Sequence, residues 1–247
     1  MMNADIEKLR DILKNSQNIV FFGGAGVSTE SGIPDFRSAD GLYNEKYAYP
    51  PETILSYSFF MENTEDFYNF YRDKMLYPEA KPNKAHIALA ELEKQGKLKA
   101  VITQNVDGLH TEAGSKNVLE LHGSALRNLC MSCNECYPIS KIIDAKIIES
   151  NGIPTCSCGG IIKPDVVLYE ESLDPAVMVK ATKAIYNAEV LIVGGTSLNV
   201  YPAAGMINHY RGDKLILINK SETPYDRYAD LIIRESIGLT LSVAANK

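Results

Sequence analysis

Six short, mostly apolar runs recur along the chain, at positions 19–22, 99–103, 118–121, 190–193, 215–218 and 231–233. A strand with one face in solvent alternates apolar and polar residues. A strand buried on both faces, as in a parallel sheet, does not. Around these runs lie segments with apolar residues at helical spacing: 6–13 (Ile6, Leu9, Ile12, Leu13), 84–95 (Ala85, Leu89, Leu92) and 175–187. Strands alternating with helices predict an α/β fold built on a doubly wound, mostly parallel Rossmann-like sheet. Two stretches break the alternation. Positions 30–76 are rich in Tyr, Phe and polar residues and have no buried-strand pattern, and 124–169 hold all five cysteines. Both read as insertions that together form a smaller domain, leaving 1–29, 77–123 and 170–247 to the nucleotide-binding sheet. A chain of 247 residues has room for one large core and one small one.

Ligands of such sheets bind at the carboxyl ends of the strands, and polar loops follow these runs. The first run empties into Gly23-Gly24-Ala25-Gly26-Val27-Ser28-Thr29. Its glycines let backbone N–H groups approach a pyrophosphate, and its small hydroxyl residues add donors. The loop continues through Ser31-Gly32-Ile33-Pro34 to Asp35, Phe36 and Arg37. An ordinary dinucleotide fold enters a helix at that point, and a plain turn needs no such polar sequel. The run at 99–103 ends in Gln104-Asn105-Val106-Asp107, and that at 118–121 in His122-Gly123-Ser124. Gly194-Gly195-Thr196-Ser197 suits a phosphate or ribose, and Asn219-Lys220 suits the ribose on the adenine side; each also suits a simple βα turn. His122, with an ordinary pKa near 6.5, fits a general base and fits equally well a structural histidine bonded to nearby backbone. His86, in a helical pattern, and His110, at a loop–helix boundary, read as structural, and His209 as exposed. A dehydrogenase would place Asp or Glu at the end of its second strand about 20 residues beyond the glycines. Here that window, Tyr43-Asn44-Glu45-Lys46-Tyr47, has no strand before it, and GxGxxG fails at Thr29. Hydride transfer is disfavoured.

Cys130 and Cys133 form one close pair, Cys156 and Cys158 a second, and the spacing between the pairs is that of a zinc ribbon. Such pairs point to one tetrahedral zinc ion. Four thiolates leave no open coordination position, so the ion is structural. Free buried thiols are the plainer alternative. Cys136 is a competing ligand or a bystander, and the bystander is the favoured reading. The net charge of -6 supplies no basic footprint for nucleic acid. The start, Met1-Met2-Asn3-Ala4-Asp5, lacks a signal-peptide pattern, and no apolar run is long enough to span a bilayer. The expected location is cytoplasmic, where disulfides are rare.

Gly24-Ala25-Gly26-Val27-Ser28-Thr29, Gly32-Ile33-Pro34-Asp35-Phe36-Arg37, Thr103-Gln104-Asn105-Val106-Asp107-Gly108-Leu109-His110, His122-Gly123, the paired cysteines, Lys163-Pro164-Asp165-Val166-Val167 and Gly195-Thr196-Ser197 occur in the order of the sirtuin family. Over nearly its whole length the chain resembles a compact bacterial-type sirtuin. The resemblance implies NAD-dependent removal of acetyl groups from protein lysines, with NAD as co-substrate and one structural zinc ion. The smaller domain would then combine a helical module with a zinc ribbon. By the same resemblance Gly24, Ala25, Gly26 and Thr29 line the pyrophosphate, with Gly195, Thr196 and Ser197 opposite. Asp35, Phe36 and Arg37 cover the nicotinamide ribose. Gln104 and Asn105 contact that ribose and a water, while Val106 and Asp107 hold the carboxamide. Asn219 and Lys220 bind the adenosine ribose. His122, the implied base with Asn105 as its catalytic companion, accepts a proton from the ribose hydroxyls. The products are nicotinamide, free lysine and 2′-O-acetyl-ADP-ribose. Val166, Val167 and Leu168 on one edge and Asn199 and Val200 on the other would hold the peptide by strand addition.

The implied partners are acetylated lysine peptides, with no nucleic acid or membrane, and the chain is expected to be a monomer. An ADP-ribosyltransferase and a non-catalytic NAD or ADP-ribose sensor are the competing readings. Two departures from the family stand out. Sirtuins that prefer succinyl groups resemble one another in a Tyr-x-x-Arg pattern. Here Tyr68 is followed by Tyr71 at the Arg position, with Arg72 one residue late on another helical face. Acetyl or a longer neutral acyl group is therefore expected. Tyr169-Glu170-Glu171 stands where many members have an aromatic residue, Gly and Glu.

Overall fold

A computed structural model of the chain describes residues 4–36, 41 and 47–246. All six apolar runs form strands: β1 (Ile19–Gly23), β2 (Leu98–Thr103), β3 (Val118–Glu120), β7 (Val190–Gly194), β8 (Lys214–Ile218) and β9 (Leu231–Ile233). They make one sheet in the order β3-β2-β1-β7-β8-β9, parallel at every pairing. Helices α1 (Ala4–Asn15), α5 (Lys84–Lys94) and α9 (Ile237–Ala245) cover one face. There Leu9, Leu13, Leu89, Leu92 and Leu241 pack on Phe21, Val101, Ile192 and Ile216. Helix α8 (Pro175–Asn187) and the 3-10 segment Ala203–His209 cover the other, placing Ile185, Met206 and Ile207 on Phe22, Ile102, Leu191 and Val193. Successive strand residues thus face opposite cores. Phe21 and Phe22 point apart and both are fully buried, each worth about 1.5–3 kcal/mol of transfer free energy. This double burial explains the absence of alternation in the sequence.

The two insertions build a second core. A three-stranded antiparallel sheet, ordered β5-β4-β6, consists of β4 (Gly123–Cys130), β5 (Cys136–Pro138) and β6 (Ile162–Val166), with α7 (Ile139–Ile148) beside it. Helices α2 (Pro51–Ile54), α3 (Tyr57–Glu62) and α4 (Thr64–Lys74) come from the other insertion. Phe60, Phe67, Tyr68 and Tyr71 from these helices join Ile142, Ile162, Val166, Cys130 and Cys156 in a single cluster. One expectation is corrected here. His122-Gly123-Ser124 is not a loop: only Leu121 and His122 separate β3 from β4, and Gly123 starts the new strand. Gly123 sits at φ +76, and a Cβ there would collide with the Asp165 carbonyl oxygen. The close crossing of β4 and β6 therefore requires glycine at this position. No helix among the described residues is long and apolar enough to cross a membrane.

Candidate functional site

The order of the large sheet reverses between β1 and β7, the position where doubly wound sheets open a ligand crevice. The loops after these two strands pack backbone on backbone. Gly24 N–H donates to the Gly194 carbonyl at 3.3 Å and Gly26 N–H to the Gly195 carbonyl at 2.8 Å. A Cβ on Gly26 would lie 2.8 Å from the Gly195 Cα, and one on Gly24 2.8 Å from the Thr196 Cβ. Glycine is needed at both positions for this approach. Instead of a long helix, two 3-10 turns follow β1, Ala25–Val27 and Thr29–Ser31. The Ala25 N–H has no partner among the described residues. A free donor beside a glycine-lined crevice fits an anionic pyrophosphate. Thr29 is exposed, and its hydroxyl donates to the Gly26 carbonyl at 3.1 Å.

The loop after β2 joins both phosphate-side loops to the histidine. Gln104 N–H donates to the Gly23 carbonyl at 3.0 Å, and its Nε2 donates to Thr196 Oγ1 at 3.1 Å. Its carbonyl lies 2.9 Å from His122 Nδ1. A carbonyl only accepts, so in the neutral ring Nδ1 carries the proton and Nε2 keeps its lone pair. Nε2 has no hydrogen-bond partner among the described residues. Burial lowers the His122 pKa, and the Gln104 bond opposes that only in part. The ring is neutral at pH 7 and competent as a base.

Asn105 Nδ2 donates to Ser28 Oγ at 3.0 Å, which donates in turn to Asp107 Oδ2 at 2.6 Å. The other Asp107 oxygen accepts from Leu109 N at 2.9 Å, fixing the start of the short helix α6 (Leu109–Glu112). Ser28 is fully enclosed. The sequence offers it only as one hydroxyl in a loop; the fold makes it the hub between Asn105 and Asp107. Val106, Phe36 and Tyr47 each pack against the small core. Asp35 is half-buried, and Arg37 lies outside the described residues. Ser197 is half-buried and Lys220 exposed. At the end of β8, Asn219 Nδ2 donates to the Ser221 carbonyl at 2.8 Å.

Val167 N–H donates to the His122 carbonyl at 3.0 Å. Val166 and Leu168 are buried in the small core, so this segment packs inward while running beside the histidine. Asn199 is exposed and Val200 half-buried. Glu170 adopts φ +77, the left-handed conformation that glycine reaches without strain. Its carboxylate accepts from Ser58 N and Ser58 Oγ, both at 2.9 Å, in the first turn of α3. Glu171 accepts from Leu168 N at 2.8 Å and from Lys163 Nζ at 2.9 Å. Tyr68 and Tyr71 are fully buried: the Tyr68 hydroxyl donates to the Ile162 carbonyl, and the Tyr71 ring stacks on Phe67. Arg72 Nη1 donates to the Gly152 carbonyl at 2.7 Å. His86 and His110 are buried in the large core, and burial pushes His110 down to about 3. His209 is exposed.

The ligand atoms of Cys130, Cys133, Cys156 and Cys158 all lie within 4.8 Å of one another. Sulfur–sulfur separations are 3.5 Å for Cys130–Cys158 and Cys133–Cys158 and 3.6 Å for Cys133–Cys156. Zinc–sulfur bonds of about 2.3 Å place tetrahedral sulfurs about 3.8 Å apart, so the four fit one zinc ion. The Cys158 N–H and the Tyr137 hydroxyl draw the Cys156 thiol down to about 6, toward the thiolate that binds metal. A Cβ on Gly160 would lie 2.7 Å from Cys130 Sγ. Cys136, on β5, is outside the group.

The sequence pattern of the Sir2 family matches residues 24–202. The NAD-dependent protein deacetylase of Clostridium perfringens (strain 13 / Type A) is 62% identical over 245 residues, covering 97% of this chain and 98% of that protein. The NAD-dependent protein deacetylase of Staphylococcus epidermidis (strain ATCC 12228 / FDA PCI 1200) is 45% identical over 249 residues, covering 100% and 99%. Among solved structures, Sir2 with a p53 peptide and NAD+ superposes with a TM-score of 0.85 at 38% identity, covering 97% of this chain and 96% of that one. Sir2Tm bound to a propionylated peptide gives 0.84 at 37%, covering 96% and 95%.

Proposed function

We infer the activity from one premise: this chain belongs to the Sir2 family. It is an NAD-dependent protein deacetylase. NAD supplies the ADP-ribose that accepts the acetyl group, so that nicotinamide, free lysine and 2′-O-acetyl-ADP-ribose result. Gly24, Ala25, Gly26 and Thr29 hold the pyrophosphate from one side, and Gly195, Thr196 and Ser197 from the other. Asn219 and Lys220 take the adenosine ribose. Asp107 and the Val106 backbone hold the carboxamide, and Gln104 and Asn105 orient the nicotinamide ribose. Asp35, Phe36 and Arg37 close over it and exclude water. His122 accepts a ribose hydroxyl proton at Nε2. Val166, Val167 and Leu168 face Asn199 and Val200 across the peptide. We assign 1–29, 77–123 and 170–247 to the NAD-binding domain, and 30–76 with 124–169 to the small one.

One observation carries these assignments. A single set of hydrogen bonds runs from the His122 ring through Gln104 to Gly23 and Thr196, and it ties the imidazole to both glycine loops at the carboxyl ends of the strands. The test is nicotinamide release by the purified protein with NAD and an acetylated peptide. Release should require the peptide and yield a product of the mass of acetyl-ADP-ribose. ADP-ribosylated protein in its place would make the chain a transferase, and NAD binding without any release would make it a sensor.

The preferred acyl group is acetyl or a longer neutral chain. Tyr71 occupies the position of a carboxylate-binding arginine, and Arg72 is engaged with the Gly152 carbonyl. A buried carboxylate without a cationic partner is costly. Acetyl-lysine peptide should turn over at least about tenfold faster than its succinyl counterpart, a difference of about 1.4 kcal/mol. The opposite ranking would refute the assignment.

A further inference from the structure

We propose that Asn83 is a positioning residue for the cofactor loop, acting through both of its 3-10 turns at once. This rests on the reading that residues 24–29 hold NAD. Asn83 is the N-cap of α5, its Oδ1 accepting from Ala85 N at 2.9 Å. Capping uses only the oxygen. The nitrogen of the same amide, Nδ2, donates to the Val27 carbonyl at 2.8 Å and to Ser31 Oγ at 3.0 Å. Val27 closes the first turn and Ser31 the second, with Ser28 between them.

The loop has other anchors. Gly24 and Gly26 bond to the loop after β7, and the Glu30 carboxylate accepts from Ser236 Oγ and Gly238 N, each at 2.9 Å. Neither of these joins the two turns to each other; the Thr29 hydroxyl does so from within the loop, through the Gly26 carbonyl at 3.1 Å, and Asn83 adds a brace to both turns from outside it. Behind Asn83 the bracing continues to the far wall of the site. Asn83 N–H donates to His86 Nδ1 at 3.2 Å, and the His86 ring packs edge-on against His110, with centroids 4.6 Å apart. His110 follows Leu109, whose N–H holds Asp107, and Asp107 accepts from Ser28. The contacts return to the loop where they began, and Ser28 is fixed from both directions. Asn83 therefore sets the distance between the phosphate side of the loop and the Asn105–Ser28–Asp107 group.

Two variants separate capping from tethering. Asn83→Asp and Asn83→Ser both keep a good capping oxygen, and both lose the Nδ2 donor. Each should melt within a few degrees of the wild type. The Kd for NAD, titrated without peptide, should rise about tenfold, the size of one ordinary hydrogen-bond contribution. Amide hydrogen exchange at 25–31 in the free protein should quicken by a similar factor, and the KM for acetylated peptide should stay within twofold. If the Kd for NAD and the exchange in both variants match the wild type, Asn83 is a helix cap and the proposal fails. If affinity falls only in step with melting temperature and the exchange of the loop is unchanged, it fails as well. A wild type that does not bind NAD would overturn the cofactor reading instead, and loop exchange would still decide the tether.

Discussion

His122→Ala should lower deacetylation of an acetylated peptide by about 10²- to 10⁴-fold, the range of a lost general base, while the Kd for NAD stays near that of the wild type. The two effects separate because their sources differ. In the proposed assignment, affinity for NAD is spread over the loops after β1, β2, β7 and β8. The proposed base is one lone pair, on His122 Nε2, left open because Nδ1 donates to the Gln104 carbonyl. Asp107 is a poor substitute, its carboxylate already engaged by Ser28 and Leu109. The pH profile of the wild type follows. Burial holds the His122 pKa below 6.5, and protonation removes the lone pair, so the acid limb of the rate lies below pH 6.5. The same depression affects stability. A histidine buried in the neutral form binds fewer protons folded than unfolded, so stability present above about pH 6.5 is lost as pH falls. For His110 that loss extends toward its folded value of about 3. Activity should therefore be measured at each pH only where it recovers fully on return to pH 7. Wild-type rates in His122→Ala would remove this ring from the reaction.

Loss of zinc should have the second largest effect. The protein should carry one zinc ion per chain, and either a strong chelator or Cys156→Ser should lower the melting temperature by about 10 °C or more. Structural zinc contributes on the order of 10 kcal/mol to local folding, and each kcal/mol shifts Tm by about 2–4 °C in a chain of this size. The ligands lie within the small core, since Cys130 and Cys156 pack in the same cluster as Phe60, Phe67 and Ile162. Activity should fall with them. His122 stands one residue before β4, whose far end is Cys130, and its carbonyl is bonded to Val167 just beyond β6. Readdition of zinc should restore both properties to chelated protein. An unchanged melting temperature after complete chelation would refute the structural role.

The large sheet was legible because its strands are buried on both faces, and continuous runs such as Val190-Leu191-Ile192-Val193 have few other uses. The loops at their carboxyl ends were legible for the same reason, since strand position alone puts Gln104, His122 and Thr196 on one rim. The small sheet was not. β6 reads Ile162-Lys163-Pro164-Asp165-Val166, with a proline and two charges in five residues. Its charges are satisfied by residues outside the strand, Lys163 by Glu171 and Asp165 by Arg127, 38 positions away. Helix α7 ends in Ile147 and Ile148, both exposed, which blurs its apolar face. Ser28 and Asn83 were hidden by distance: their partners stand 79 and 56 positions away, and no local pattern specifies such pairings. Glu170 breaks a local rule outright, holding a glycine-like backbone while its carboxylate anchors Ser58.

The central claim is that His122 and the two glycine loops face one NAD molecule, the loops at its pyrophosphate and the imidazole at its nicotinamide ribose. A crystal structure with an acetylated peptide and an NAD analogue whose glycosidic bond resists cleavage tests it most directly. The account predicts the pyrophosphate between residues 24–26 and 195–197, with a nicotinamide-ribose hydroxyl about 3 Å from His122 Nε2, within reach for proton transfer. An analogue bound in that cradle with its ribose beyond hydrogen-bonding reach of the ring, and no water bridging them, would contradict it.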